Sequence, residues 1–139
     1  MTNSHLSPYL TFAGTTKEAM AFYHSVLGGK LDVSTFGEFG APDGVDPEGV
    51  MHAQLDTDTG WTLMASDTAP GTELVAGNSV TVALFGDDEE VLRAAFTGLS
   101  EGGTVTVPLE KQVWGDEYGA FTDRFGVSWM VNLSPAAEG

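Results

Sequence analysis

The chain has 139 residues, of which 42% are hydrophobic and none is cysteine. This length is typical of one domain, and the apolar fraction excludes a disordered or collagen-like chain. The absence of cysteine excludes disulfides, thiolate metal sites and cysteine nucleophiles. Five Lys and Arg residues against 20 Asp and Glu residues give a formal charge of −15, so we expect no binding to nucleic acid or to an anionic membrane.

The sequence shows neither a secretion signal nor a membrane span. Residues 1–8 lack a basic start followed by an apolar run. No apolar run approaches the roughly 18 residues that a transmembrane helix needs. We therefore expect a soluble cytoplasmic protein whose single domain covers residues 1–139.

The first half of the chain predicts one helix among four strands. Residues 6–12 alternate between apolar and polar side chains, which indicates a strand with one covered face. Thr15 and Thr16 offer an N-cap hydroxyl before an acidic first turn, and Gly28-Gly29 ends the helix. The other predicted strands cover residues 30–36, 50–56 and 61–66, and residues 37–49 form a loop rich in Gly, Pro and acid.

The second half repeats this order. Val80, Val82 and Leu84 alternate with Thr81, Ala83 and Phe85, which predicts a strand. The acidic run Asp87–Glu90 predicts the start of a helix, because anions stabilise that end. Gly102-Gly103 ends the helix. The elements predicted after it are a strand at 104–107, a loop at 109–117, and a hairpin of 118–123 and 127–133 that turns at Phe125-Gly126.

The two halves align residue by residue near their ends. The segment from Gly60 to Ser66 matches Gly126 to Asn132, at a spacing of 66 residues. Leu10-Thr-Phe12 matches Ala83-Leu-Phe85, at a spacing of 73. An internal repeat constrains the fold strongly. The sequence therefore predicts an α+β fold of tandem βαβββ modules, at about residues 6–67 and 78–133, whose curved sheets form a cleft.

Alternation also assigns the two faces of each predicted strand. The apolar face is expected to meet the helices, and the opposite face is small, polar and aromatic. Such a face is either solvated or a ligand cleft with a few placed polar groups, and we favour the cleft. The apolar set is Leu10, Phe12, Met51, Ala53, Leu55, Trp61, Leu63, Val82, Leu84, Phe121, Trp129 and Val131; the opposite set is Ser7, Tyr9, Thr11, His52, Gln54, Thr62, Met64, Ser66, Thr81, Tyr118, Ala120, Ser128, Met130 and Asn132.

Three segments resemble a known family. SPYLTFAGTTKEAMAFYHSVLGGKL is similar to the opening of the vicinal oxygen chelate superfamily, which includes glyoxalase I, bleomycin-resistance proteins and extradiol dioxygenases. VMHAQLDTDTGWTLMASD and WGDEYGAFTDRFGVSWMVN resemble its PhnB-like branch, often labelled 3-demethylubiquinone 3-methyltransferase-like. The resemblance implies paired βαβββ modules, a homodimer, and a site in the sheet cleft. The sequence lacks a Rossmann-type nucleotide signature, so methyltransferase activity is not expected.

The resemblance also locates the positions where many members of this superfamily hold a metal ion. They use four His or Glu ligands, on the first and last strands of each module. The matching residues here are Ser7 or Pro8, Thr81 to within one residue, Met64 and Met130. Hydroxyls and thioethers supply none of the imidazole or carboxylate donors that such metals need. We therefore predict no metal and no cofactor.

His52 is the main candidate for chemistry, because a neutral imidazole on the cleft face can act as a general base. The alternative is a structural histidine bonded to a neighbour. His24 is predicted to be structural. Trp114 is expected either to wall the pocket or to form a dimer contact. Residues 37–49 are expected to be a mobile lid over the cleft.

Three functions stay open at this point. The first is a metal-free protein that binds a small molecule through Ser7, His52, Gln54, Met64, Thr81, Trp114, Tyr118 and Met130. The second is a glyoxalase-type lyase, isomerase or hydrolase with His52 as the base. The third is a dimeric domain whose cleft has no tuned function. The missing metal donors favour the first, because glyoxalase-type chemistry usually relies on a Lewis acid.

Overall fold

The computed structural model describes residues 4–41, 43–69 and 72–135. The chain forms two compact units that divide between Val75 and Ala76. The first unit contains β1 (Tyr9–Phe12), α1 (Thr16–Leu27), β2 (Lys30–Thr35), a 3-10 turn (Gly37–Phe39), β3 (Val50–Asp56) and β4 (Thr62–Asp67); the second contains β5 (Val82–Gly86), α2 (Glu89–Ser100), β6 (Thr104–Lys111), β7 (Glu117–Thr122) and β8 (Ser128–Leu133).

The two sheets share one topology. The first has the strand order β1-β4-β3-β2 and the second has the order β5-β8-β7-β6. In each sheet the first strand runs parallel to the last, and the other neighbours are antiparallel. The chain is therefore α+β with two mixed four-stranded sheets, and the predicted βαβββ repeat is confirmed. Within the described ranges, no helix is both long and apolar enough to cross a membrane.

The ladders correct the alignment of the two halves. Leu10 pairs with Ala65, and Leu84 pairs with Val131, which is the residue 66 positions after Ala65. Leu10 therefore corresponds to Leu84, at a spacing of 74, and the predicted spacing of 73 was wrong. That prediction matched Phe12 with Phe85, although Phe12 is buried and Phe85 is 74% exposed. The spacings of 74 and 66 differ by eight residues, which the first unit carries between β2 and β3.

Each helix covers the apolar face of its own sheet. In the first unit, Met20 and Tyr23 of α1 are buried, as are Ala53 and Leu55 of β3. Burial of each large apolar side chain stabilises the fold by roughly 1.5–3 kcal/mol. In the second unit, the ring of Phe121 stacks on Trp129, with centroids 6.4 Å apart. The alternation of the sequence therefore assigned most helix-facing positions correctly.

A register shift in β3 changes one of those positions. Ser34 pairs with His52 but Thr35 pairs with Val50, so Met51 is the extra residue of a β-bulge. Val50 is 1% exposed and takes the helix-facing place that the sequence assigned to Met51. Past the bulge the alternation resumes, and His52 lies on the face without a helix, as predicted.

Several predicted strand ends also differ from the structure. Because β1 begins at Tyr9 and β5 at Val82, Ser7 and Thr81 precede their strands instead of lying in them. β6 continues to Lys111, through part of the predicted loop at 109–117. It is an edge strand, where Pro108 is tolerated, and its register shifts twice between Val105 and Glu110.

The start of α1 depends on a distant carboxylate. Thr15 is the N-cap residue, but its side chain makes no capping hydrogen bond. Instead, Oδ1 of Asp67 accepts hydrogen bonds from the backbone N–H of Gly14 and Thr16, and from the Thr16 hydroxyl at 2.6 Å. Oδ2 accepts from the N–H of Val50 at 2.9 Å. The predicted hydroxyl cap was therefore wrong, and Asp67 joins α1, β3 and β4.

Candidate functional site

We call the side of each sheet that is not covered by its helix the helix-free face. On the first sheet, Met64 of β4 pairs with Tyr9 on one side and with Gln54 on the other. His52 lies on the same face of β3. Tyr9 is 51% exposed, whereas the other three residues are half-buried. Three predicted site residues of this unit, His52, Gln54 and Met64, are therefore brought together.

Tyr9 and His52 are in direct contact. The Tyr9 hydroxyl lies 3.3 Å from Nδ1 of His52, and the ring centroids are 5.8 Å apart. The sequence placed Tyr9 on this face but did not include it in the candidate site. The alternation of Tyr9 with Leu10 in the sequence indicates the face on which Tyr9 lies, but it does not indicate the contact with His52. The contact with Tyr9 therefore fixes the orientation of the His52 imidazole on this face.

The other polar groups of this face are bonded mainly within the chain. The amide of Gln54 donates to the carboxylate of Asp56 at 3.0 Å, and the Thr62 hydroxyl donates to the same carboxylate at 2.9 Å. Ser7 donates its hydroxyl to the carbonyls of Pro8 and Thr62. Gln54 therefore offers a ligand its amide oxygen, and Ser7 offers an oxygen whose proton is already used.

The helix-free face of the second sheet is more apolar. Met130 of β8 pairs with Ala83 on β5 and with Ala120 on β7. The thioether therefore has a small side chain on each side of it. Tyr118 and Asn132 form the next row. Asn132 donates its amide to Asp116 at 2.9 Å.

The loop before β7 adds a second aromatic ring. Trp114 is 59% exposed and meets Tyr118 edge to face, with centroids 6.3 Å apart. The loop itself is a tight turn, in which Gln112 N–H donates to Asp116 and Gly115 N–H donates to Gln112. Trp114, Tyr118 and Met130 thus belong to the second unit, together with Thr81, which is exposed before β5.

The positions that correspond to metal ligands do not fit a divalent metal ion. Met64 and Met130 occupy equivalent ladder positions 66 residues apart, and Ser7 and Thr81 precede the equivalent strands β1 and β5. Two thioethers and two hydroxyls provide no anionic or imidazole donor. Among the residues that the structure describes, no group of three His, Asp or Glu side chains could hold a metal ion.

The motif that resembles the PhnB-like branch has a structural role in β7, β8 and the turn between them. Asp123 is 3% exposed. Its Oδ1 accepts from the N–H of Phe125 and of Val127, and its Oδ2 accepts from the indole of Trp129 at 2.8 Å. Arg124 donates to the carbonyl of Glu101, just beyond α2. Asp123, Arg124 and Trp129 therefore stabilise the hairpin, whereas Trp114, Tyr118 and Met130 of the same motif are candidate site residues.

Two other candidates are structural, as predicted. Nε2 of His24 lies 2.8 Å from the carbonyl oxygen of Gly29, where α1 ends. The acidic run of 87–90 begins α2, and the side chain of Asp88 accepts a hydrogen bond from Val91 N–H. Arg93, which is paired with both Glu89 and Glu117, has a pKa raised by those two carboxylates.

Sequence reasoning missed a cavity in the first unit. It has a volume of about 440 Å³ and lies where the N-terminal turn of α1 approaches the loop before β3. None of the eight predicted site residues lines it. Its lining consists of Gly14, Lys17, Glu18, Phe36, Gly44, Val45, Asp46, Glu48, Gly49, Val50, Asp67, Thr68, Ala69 and Thr72.

The second unit has a cavity at the matching end, of about 370 Å³, lined by residues that include Asp87, Glu89, Lys111 and Glu117. Ser134 in its wall corresponds to Thr68 in the first cavity, 66 residues earlier. The two cavities are therefore a feature of the repeat. Part of the wall of the larger cavity is formed by the extra residues that the first unit has between β2 and β3.

Known proteins resemble the chain over almost its whole length. Protein YjdN of Escherichia coli is 31% identical over 140 residues, which span 92% of this chain and 94% of that protein. The crystal structure of protein PA1353 from Pseudomonas aeruginosa superposes with a TM-score of 0.82 at 36% identity, and the match covers 96% of this chain and 100% of that one.

A further structure supports the fold alone. A Bacillus cereus PhnB protein described as a putative 3-demethylubiquinone-9 3-methyltransferase has a TM-score of 0.75 at 24% identity, over 94% of this chain and 100% of that chain. The family model for the Glyoxalase/Bleomycin resistance protein/Dioxygenase superfamily matches residues 5–131. This chain is a member of that superfamily.

Proposed function

We propose that the protein binds a small organic molecule on the helix-free faces of its sheets and does so without a divalent metal ion. The observation that carries the proposal is the pair Met64 and Met130. Both modules place a thioether at the equivalent position, where a metal-binding relative would have a carboxylate or an imidazole. A flexible, polarisable side chain adapts to an apolar ligand surface instead of coordinating a hard cation.

Each helix-free face offers its own contacts to a ligand. On the first sheet, Tyr9, His52 and Gln54 supply hydrogen-bonding groups around Met64. On the second sheet, Met130 lies between two alanines, and Trp114 and Tyr118 supply aromatic surface. Pockets that bind small molecules combine such apolar and aromatic lining with a few placed polar groups. We propose Ser7 and Thr81 as further contacts, just before the equivalent strands β1 and β5.

A second candidate function follows from the contact between Tyr9 and His52. If Nδ1 of His52 carries the proton and donates it to Tyr9, the lone pair of Nε2 is available as a general base. A glyoxalase-type lyase, isomerase or hydrolase would use it to remove a proton from a small oxygenated substrate. With the opposite tautomer, Nε2 is a hydrogen-bond donor, and His52 binds a ligand oxygen instead.

We also propose that the protein is a homodimer. Trp114 and the neighbouring Val113 are exposed at the tip of the turn before β7, and exposed apolar side chains of this kind are typical of interfaces. Light scattering coupled to gel filtration, with wild type and a Val113→Ser/Trp114→Ser variant, tests this. We expect twice the monomer mass for the wild type and a smaller mass for the variant. A monomeric wild type would refute the dimer.

The experiment that tests the binding function is a thermal-shift screen in EDTA, with cationic antibiotics and 2-oxoacids as the two libraries. We expect one class of compounds to raise the melting temperature of the protein without being converted to a product. Calorimetry with His52→Ala should then show weaker binding, while His5→Ala, an exposed histidine outside both faces, should bind like wild type. Turnover that His52→Ala abolishes would support the enzyme instead. No stabilisation by either library would contradict the binding proposal.

A further inference from the structure

The cavity at the start of α1 is a second place where the first unit can hold a ligand. Its volume of about 440 Å³ lies within the roughly 300–1,000 Å³ that is usual for small-molecule pockets. None of its lining residues belongs to the proposed ligand-binding set on the helix-free faces. Ligand binding in this cavity is therefore independent of the proposed function on the helix-free faces.

The wall of this cavity is held by backbone hydrogen bonds. Phe36 N–H donates to the carbonyl of Gly49 at 3.0 Å, and Gly37 N–H donates to that of Pro47 at 2.8 Å. Gly49 N–H donates to the carbonyl of Asp46 at 3.0 Å. The loop that the sequence predicted as a mobile lid is therefore tied to the end of β2 and contributes a defined wall.

The charges of the lining residues favour a cationic ligand. The lining includes four acidic residues, Glu18, Asp46, Glu48 and Asp67, and one basic residue, Lys17. Within the described part of the chain, no hydrogen bond or ion pair engages the carboxylates of Glu18 and Glu48. The formal charge of −15 on the whole chain adds to the attraction of cations.

The helix end does not offset this preference. The N-terminus of a helix ordinarily attracts an anion because its first N–H groups lack partners. Here Asp67 already accepts hydrogen bonds from Gly14 N–H and Thr16 N–H at 3.1 Å each. The protein's own carboxylate thus occupies the place where an external anion would bind.

The geometry also argues against a metal ion as the ligand. Among the described residues, no three carboxylate or imidazole groups lie close enough to share one. The same wall carries Phe36, Val45 and Val50, which offer apolar surface next to the acids. We propose that this cavity binds a small organic ammonium ion, whose charge lies near Glu18 and Glu48 and whose hydrocarbon part lies against Phe36 and Val45.

Three probes of similar shape but different charge test the proposal: 2-phenylethylammonium, 2-phenylethanol and phenylacetate. Titrations followed by ¹H–¹⁵N NMR should show that the ammonium ion moves the amide signals of Gly14, Gly44 and Gly49. Its affinity should exceed that of the alcohol about fivefold, as expected for two exposed ion pairs, and should fall as salt rises. The signals of Tyr9, His52 and Met64 should stay in place.

The matched variants separate this site from the general charge of the protein. Glu18→Gln/Glu48→Gln should lower the affinity for the ammonium ion to that for the alcohol. Asp58→Asn/Glu110→Gln removes two exposed carboxylates outside the cavity and should bind like wild type. The proposal would be overturned if both double variants lost the same affinity for the ammonium ion, or if phenylacetate bound as tightly as the ammonium ion. It would also be overturned if the ammonium probe moved no amide signal at about 10 mM, a concentration at which even a weakly binding fragment is detected.

Discussion

The hydroxyl of Tyr9 lies 3.3 Å from Nδ1 of His52, across the helix-free face of the first sheet. A phenol is a better proton donor than a neutral imidazole, so we expect Tyr9 to donate and Nδ1 to accept. The imidazole proton is then on Nε2. This tautomer makes His52 a hydrogen-bond donor to a ligand oxygen, which agrees with a binding protein better than with a base.

The first prediction concerns this tautomer. In long-range ¹H–¹⁵N spectra of the neutral imidazole, Nδ1 of His52 should have the shift of an unprotonated nitrogen and Nε2 that of a protonated one. Tyr9→Phe should move the Nδ1 signal, while His24, which is bonded to the carbonyl of Gly29, should be unchanged. A protonated Nδ1 in the wild type would instead favour His52 as a general base.

The second prediction concerns Asp67 and the start of α1. Asp67→Ala removes the acceptor for three backbone N–H groups and one hydroxyl, so the free energy of unfolding should fall by about 2–4 kcal/mol. Thr15→Ala, at the N-cap position with no side-chain bond, should cost less than about 0.5 kcal/mol. Urea unfolding measures both. A larger cost for Thr15→Ala than for Asp67→Ala would contradict this account of the helix start.

The third prediction concerns the hairpin motif. Asp123→Ala leaves two backbone N–H groups and the buried indole N–H of Trp129 without their acceptor. We expect a loss of about 2–4 kcal/mol in urea unfolding, with ligand affinity retained in the folded fraction. The control is Asp58→Ala, in the corresponding turn of the first unit, which should change stability by at most about 0.5 kcal/mol. If Asp123→Ala abolished binding while stability stayed the same, Asp123 would belong to the site.

The repeat and the faces could be predicted from the sequence because they depend on local periodicity. Gly60 and Gly126 mark equivalent turns, and both adopt a positive φ of about 90°. The alternation around Ala53 and Leu55 identified the helix-facing side of β3, since a strand's side chains point to opposite faces in turn. Such patterns need no knowledge of which strands are neighbours.

The features that sequence reasoning missed depend on distant partners. Asp67 caps a helix that begins 51 positions earlier, and no local pattern connects the two. The bulge at Met51 arises from the pairing of β3 with β2, which sequence alternation alone does not specify. The contact between Tyr9 and His52 likewise joins β1 to β3, strands that have β4 between them. The cavity at the start of α1 combines three such separated segments.

The central claim is tested most directly by NMR spectra of protein labelled with ¹³C in its methionine methyl groups. Spectra are recorded in EDTA, with and without a stabilising compound from the thermal-shift screen. After the chelator is removed, they are recorded again with equimolar Zn²⁺ or Ni²⁺, with and without the compound. Met64→Leu and Met130→Leu assign the two signals, and Met20, a fully buried residue of α1, is the internal control. The account predicts that the compound moves the Met64 and Met130 signals in EDTA and that neither metal does. A compound that binds only after Zn²⁺ or Ni²⁺ is added, or that leaves both signals unmoved, would contradict it.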